Sequence, residues 1–203
     1  MERKSNYRHL ALLWQKARPW LLYLGIFLVL RYTGLIAAVS TVTQKALFST
    51  GAMNVAVDPA KVSNARTFNY DFELYDADKK KVDVNEFKGK TIFINVWATW
   101  CGPCRIEMPS IENLYKTVDR DKVVFIMLAL DQNDAYNKVT RFIKEKEFTF
   151  PVYFPAGKLP DALRVQSIPT TLVVDSQGNI VLREIGAANY DTEEFRKFIN
   201  GLN

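Results

Sequence analysis

The sequence predicts an α/β sandwich, a central mixed β-sheet with helices on both faces, preceded by one N-terminal transmembrane helix. Three observations carry that expectation. Two nearly continuous apolar runs rich in β-branched residues, 91–96 (T-I-F-I-N-V) and 123–130 (V-V-F-I-M-L-A-L), read as strands buried on both faces. Helical patterns follow both runs, so strands and helices alternate as layered α/β folds require. Ahead of them lies a stretch, 20–42, that is apolar except for Arg31.

At 1.5 Å per residue those 23 positions could cross a hydrocarbon core of roughly 30 Å. Arg3, Lys4, Arg8, Lys16 and Arg18 precede the stretch and only Lys45 follows closely. The positive-inside rule then makes 1–19 a cytoplasmic tail and 20–42 a single-pass anchor. The body would stand across the membrane, with Trp20, Tyr23 and Tyr32 as interface anchors. Arg31 is the awkward residue, costing about 2.5 to 3.5 kcal/mol at a helix centre unless it snorkels or finds a partner. Two alternatives stay open: a cleaved signal peptide with its apolar core at 20–30 and Ala38 and Ser40 before the cut, or a buried soluble helix. Of 27 basic and 22 acidic residues, six basic and one acidic fall in 1–42, leaving 21 of each. The body is neutral, without the electrostatic footprint of nucleic-acid binding.

Residues 43–66 lack a clear period and include Asp58-Pro59, as a linker would, which leaves 67–203 as the folded domain. Phe68, Tyr70, Phe72 and Leu74 alternate with polar residues, 76–80 is a turn and 81–84 returns, together a hairpin. Residues 85–87 read as one helical turn before the first buried strand. After the second, Tyr136, Val139, Phe142 and Ile143 give 134–146 the single apolar face of a helix. A short strand at 151–154 and a short helix at 160–165 follow. Strands at 171–175 and 180–184 are joined by Ser176-Gln177-Gly178-Asn179, and 192–202 closes the chain as a helix.

Both cysteines lie in W-A-T-W-C-G-P-C-R-I-E-M-P, residues 97–109, where the first buried strand gives way to a helix. Pro103 suits a first helical turn, because the N–H it lacks would have no partner there. Cys101 would then occupy the positive end of the helix, which favours a thiolate, the nucleophilic form. Cys104 falls on the same face one turn later, within reach of a disulfide. A purely structural role is a poor fit, since so short a loop constrains little of the unfolded chain. Zinc is a poor fit too, as there is no further cysteine and the only histidine, His9, lies in the N-terminal tail. No metal and no cofactor are expected, and the spacing points to redox chemistry.

At these residues W-C-G-P-C resembles thioredoxin. The longer string W-A-T-W-C-G-P-C-R-x-E-x-P, with Ile168-Pro169-Thr170-Thr171 downstream, resembles the membrane-anchored thioredoxin-like reductases of the TlpA/ResA type, from about Phe68 to the C-terminus. The resemblance implies a thioredoxin-like fold, and the run between the second buried strand and Pro169 is longer than plain thioredoxin requires, as that type leads one to expect. Thioredoxin has a buried aspartate six residues before its first cysteine; here that position is Asn95, whose amide cannot titrate. Glu107, three residues past Cys104 and a glutamate in that type as well, is the nearest substitute. Buried, it would exchange a proton with Cys104; solvated, it would be an ordinary helical glutamate. The resemblance further implies that Pro169 is a cis-proline facing the disulfide, with Ile168 beside it, where backbone pairs with an extended substrate. Pro109 is read as a kink in the helix.

The candidate catalytic residues are therefore Cys101, Cys104 and Glu107, and the candidate substrate-binding residues Trp100, Gly102, Pro103, Ile168 and Pro169. Trp97 either helps to shield the disulfide or is plain core. The expected activity is reduction of protein disulfides outside the cytoplasm, for example in apocytochrome c before haem attachment. The Gly-Pro insert resembles thioredoxin, at about −270 mV, more than the oxidant DsbA at about −120 mV. The resemblance implies a bacterial inner (cytoplasmic) membrane with the body in the periplasm or its extracytoplasmic equivalent, and resupply by a membrane electron donor of the DsbD/CcdA kind. A disulfide oxidase or isomerase, and a non-catalytic module that senses redox state, are the alternatives.

Overall fold

A computed structural model describes residues 3–32, 50–51, 53–55 and 66–202. It divides into two compact units, Met1–Thr50 and Gly51–Asn203. In the first, helix α1 spans Arg3–Tyr32 with Pro19 inside it. Its uninterrupted apolar run, 20–30, is 11 residues, about 17 Å of helix against a bilayer core of roughly 30 Å. No helix among the described residues is long and apolar enough to cross a membrane; of the span expected at 20–42, only 20–32 belongs to α1 and the rest lies outside the described residues. The described helix carries Lys16 and Arg18 before that short run and meets Arg31 after it. Residues 33–42, with Ala38 and Ser40 of the signal-peptide alternative, and Lys45 and Asp58-Pro59 of the next segment, lie outside the described residues. Trp20, Leu22 and Tyr23 of this helix are all strongly exposed.

The second unit is built on an eight-stranded mixed sheet. Its strands are β1 (Arg66–Thr67), β2 (Glu73–Tyr75), β3 (Lys81–Asp83), β4 (Thr91–Trp97), β5 (Val123–Ala129), β6 (Val152–Pro155), β7 (Thr170–Val174) and β8 (Asn179–Ile185). They lie in the order β1-β8-β7-β4-β5-β6-β2-β3. β4 runs parallel to β5 and antiparallel to β7, in a register that sets Asn95 opposite Thr171. Every residue of β4 is buried, as its apolar run requires.

Because side chains alternate across a strand, β4 feeds two cores. Phe93 and Trp97 join one, with Met108, Ile111 and Leu114 of α2 (Gly102–Thr117), Val139 of α3 (Ala135–Glu145) and Phe195 of α4 (Glu193–Asn200). Ile92, Ile94 and Val96 join the other, with Phe68, Tyr70, Phe72, Leu74 and Leu163. Both faces are covered, but unequally. The α-helices pack on the first, while the second has 3-10 turns at Val84–Phe87 and Asp161–Leu163 and the aromatic segment before β2.

That segment departs from the hairpin expected of it. Phe68, Tyr70 and Phe72 are buried in alternation, yet pairing begins only at Glu73. Phe68 meets Tyr70 and Phe72 edge-on at ring distances of 5.0 and 6.0 Å, so the alternation reports rings laid under the sheet rather than a strand within it. Further upstream Val55 is 3% exposed and belongs to the first core. Its neighbours are tied down by Asn189, whose N–H donates to Met53 O at 2.7 Å and whose side-chain amide donates to Asn54 Oδ1 at 3.0 Å.

Candidate active site

β4 delivers the chain to the carboxyl edge of the sheet, and α2 leaves from it. Cys101 is the N-cap of α2, extended at φ −79° and ψ 107°, and the N–H of Cys104 donates to its sulfur at 3.2 Å. A donor already aimed at Sγ is what a thiolate there would need. Cys101 and Cys104 form a disulfide with Cα atoms 5.3 Å apart. Cys101 is the more accessible of the two, 4% exposed against 0%, so the sulfurs open only narrowly to solvent. Trp100 is 71% exposed, and Gly102 and Pro103 are exposed too, so the rim is prominent where the sulfurs are not. Trp97 is plain core, packed against Phe142 at 5.7 Å. The helix continues through Pro109 to Thr117.

Glu107 is wholly buried, which excludes the solvated alternative. Its Oε1 accepts from Asn95 Nδ2 at 2.7 Å and its Oε2 from the Ala188 N–H at 3.2 Å. Burial pushes its carboxyl up to about 8; the two hydrogen bonds pull the other way, and Glu184 adds to the rise. The group is neutral near pH 7 and within reach of ionisation, the condition for passing a proton at physiological pH. Asn95 also donates to Thr171 Oγ1 at 2.9 Å, across the register that pairs their strands. Tyr190 stands beside this cluster, its hydroxyl buried. Burial first, then the charge of Glu107, raises its pKa well above the usual value. Ser110 fastens the helix to the same segment, donating to Glu107 O at 2.7 Å and accepting from the Tyr190 N–H at 3.2 Å.

The Ile168–Pro169 bond is cis, and Gly186 N–H donates to Pro169 O at 2.9 Å. Thr170, the next residue, pairs with Val96, so Pro169 lies at the edge of the sheet where β4 leads into the cysteines.

A redoxin family model matches residues 60–199. The chain belongs to the redoxin family. Within it the chain is of the ResA/TlpA type. It is 35% identical over 116 residues to the thiol-disulfide oxidoreductase ResA of Bacillus cereus, covering 57% of this chain and 66% of that protein. To ResA of Halalkalibacterium halodurans it is 32% identical over 130 residues, covering 63% and 73%. The chain thus spans just under two thirds of the length of the Bacillus cereus relative. Among solved structures it resembles a thiol:disulfide interchange protein of the thioredoxin family from Chlorobium tepidum, with a TM-score of 0.54 and 26% identity over 68% of this chain and 99% of that one.

The residues of this redoxin that sequence reasoning missed surround Glu107. Asn95 was noted only for what it cannot do, and Thr171, Ala188 and Tyr190 had no assigned role. The usable signal was a polar residue inside an otherwise apolar strand. Asn95 in T-I-F-I-N-V shares the parity of Phe93 and Trp97, and so had to face the helix that carries Glu107.

Proposed function

We propose that the chain is an extracytoplasmic thiol-disulfide oxidoreductase that reduces protein disulfides. The observation that carries this is the Cys101–Cys104 disulfide at the start of α2, with a buried glutamate one turn on that burial keeps protonated at neutral pH. In the reduced protein, the Cys101 thiolate attacks one sulfur of a substrate disulfide. An S–S bond forms, the substrate S–S bond breaks, and one substrate thiolate leaves. Cys104 then gives up its proton and attacks Cys101 Sγ, releasing the second substrate thiolate and leaving the Cys101–Cys104 disulfide. Two electrons pass to the substrate. The ionised fraction of Glu107 accepts the Cys104 proton from the same face of the helix and, now protonated, can return it when the pair is reduced again.

The exposed rim of Trp100, Gly102 and Pro103 receives the substrate, and Ile168 and Pro169 offer backbone to its extended segment. Membrane attachment through 20–42, with the domain in the periplasm or its equivalent, is supported by the charge asymmetry of the N-terminus and by the TlpA/ResA resemblance. In an oxidising compartment the protein needs fresh electrons after each turnover, which a membrane donor of the DsbD/CcdA kind would provide. Apocytochrome c is the proposed substrate by the same resemblance.

Insulin reduction by the reduced protein and the equilibrium potential against glutathione test the reading together. Turnover with a potential near that of thioredoxin is expected. A potential near that of DsbA reverses the direction, and an intact cysteine pair with no turnover leaves a sensing module. Cys104→Ser traps substrates on Cys101 as mixed disulfides and identifies them.

A further inference from the structure

A cleft of about 590 Å³ opens beside the disulfide, within the roughly 300–1,000 Å³ usual for ligand sites. Thr99 and Trp100 line it from the end of β4, and Leu130, Asp131, Gln132 and Lys138 from the end of β5 and from α3. The two strands are parallel neighbours, paired as far as Trp97 and Ala129, so the cleft shares the carboxyl edge of the sheet with Cys101. That edge is where open α/β sheets take their ligands.

One wall is fixed in advance. Asp131 accepts the Thr99 N–H at 2.9 Å on one oxygen and the Thr99 hydroxyl on the other. Its carboxylate is therefore spent on holding the residue before Trp100. Among the described residues no hydrogen bond or ion pair engages the groups that remain: the Trp100 indole N–H, the Gln132 amide and the Lys138 ammonium. Arg105, in the first turn of α2, lies over the Phe142 ring at 5.4 Å, one helical turn along α3 from Lys138. It too has no carboxylate partner among the described residues. The other nearby acid, Asp134, is engaged by the Asn137 side chain. The cleft is thus rich in free donors, pairs its one lining cation, Lys138, with no carboxylate although Asp131 lines it too, and borders the prominently exposed Trp100 next to the reactive sulfur.

We propose that this cleft is a subsite for the substrate polypeptide next to the attacked cysteine, and that it selects an acidic side chain there by pairing it with Lys138. The proposal rests on disulfide exchange at Cys101, and it names the substrate class that exchange would favour: proteins with Asp or Glu beside the target cysteine.

Two synthetic peptides test it, each with one cysteine in a mixed disulfide with 2-mercaptoethanol. They differ only in having Glu or Lys on either side of that cysteine. The full-length protein, reduced with dithiothreitol and freed of it, gives up two electrons per peptide, yielding peptide thiol, 2-mercaptoethanol and the Cys101–Cys104 disulfide. Each rate is divided by that of dithiothreitol with the same peptide, which removes the intrinsic effect of the flanking charge. At low ionic strength the Glu peptide should react about 3- to 10-fold faster, the span expected of a solvent-accessible charge pair. Lys138→Glu should invert the preference. A ratio taken on one preparation does not depend on how much of the variant is folded. Equal corrected rates in the wild-type protein overturn the proposal, as does a preference that survives Lys138→Glu. Uncharged hydroxyethyl disulfide separates the two readings: if it is reduced while the peptides show no preference, only the subsite falls; if neither it nor the peptides react, exchange at Cys101 falls too.

Discussion

Glu107 and Glu112 lie five residues apart on α2, are 0% and 5% exposed, and titrate in opposite directions. Burial is the largest influence on both and raises both. For Glu112 it is outweighed. Thr149 gives it a backbone N–H at 2.9 Å and a hydroxyl at 2.7 Å, and Lys116 brings an ammonium to 2.9 Å, so its carboxyl is held below the ordinary range. Glu107 has two neutral donors and no cation, and burial wins, lifting it to about 8. Burial alone does not make a proton-transfer group. The charge and number of the partners decide which buried carboxyl stays ionised as a structural tie and which is free to change state at neutral pH.

The contrast is tested most strongly by pH. Glu107 titrates near 8 in the folded protein against 4.5 ordinarily, so between those values the folded state holds the extra proton. Its contribution to stability is present in full below pH 4.5 and is lost as pH rises to about 8, by roughly 4 to 5 kcal/mol. Urea unfolding at pH 5 and pH 8 should show roughly 3 to 4 kcal/mol of that loss, Glu107→Gln should abolish it, and the same variant should slow thiol exchange at neutral pH. Flat wild-type stability would return Glu107 to the ordinary range.

Next in size, Glu112→Ala strips the acceptor from the Thr149 donors and should cost about 3 kcal/mol in denaturant at pH 7. Exchange rates should stay within about twofold. A large rate loss would mean that Glu112 is more than a tie.

Asn95→Ala removes a hydrogen bond that favours ionised Glu107. The alkaline midpoint of the rate-pH profile should then move up by roughly one unit, the worth of one hydrogen bond to a charged group. An unmoved midpoint would deny Asn95 any hold on Glu107. Smallest of all, Lys116→Ala should cost roughly 0.5 kcal/mol, because its side chain is 56% exposed; a loss above about 2 kcal/mol would make the ion pair the main support of Glu112.

What the sequence disclosed was the part fixed by local pattern. The unbroken apolar run of β4, the strand-to-helix junction and the Gly-Pro insert placed Cys101 and Cys104 where the structure has them. Glu107 was legible as a residue one turn past Cys104, but its state was not. That depends on Asn95 twelve positions back and Ala188 eighty-one ahead, contacts that only the folded sheet creates. The link from Glu112 to Thr149 spans 37 positions and was invisible for the same reason. The alternation at 68–72 misled because burial under a sheet and pairing within one leave the same period-two trace. Along α1, the span expected at 20–42 runs past the described helix, whose part of it is apolar from 20 to 30 and then meets Arg31.

The anchoring of Met53 and Asn54 to Asn189 bears on where this chain can be cut. Asn189 follows Ala188, whose N–H holds one oxygen of Glu107, so the strap and the buried carboxyl share a stretch of backbone. A fragment trimmed to begin at 67 forfeits that strap and the burial of Val55. One that begins at Gly51 keeps both, and with them the stretch of backbone that holds Glu107.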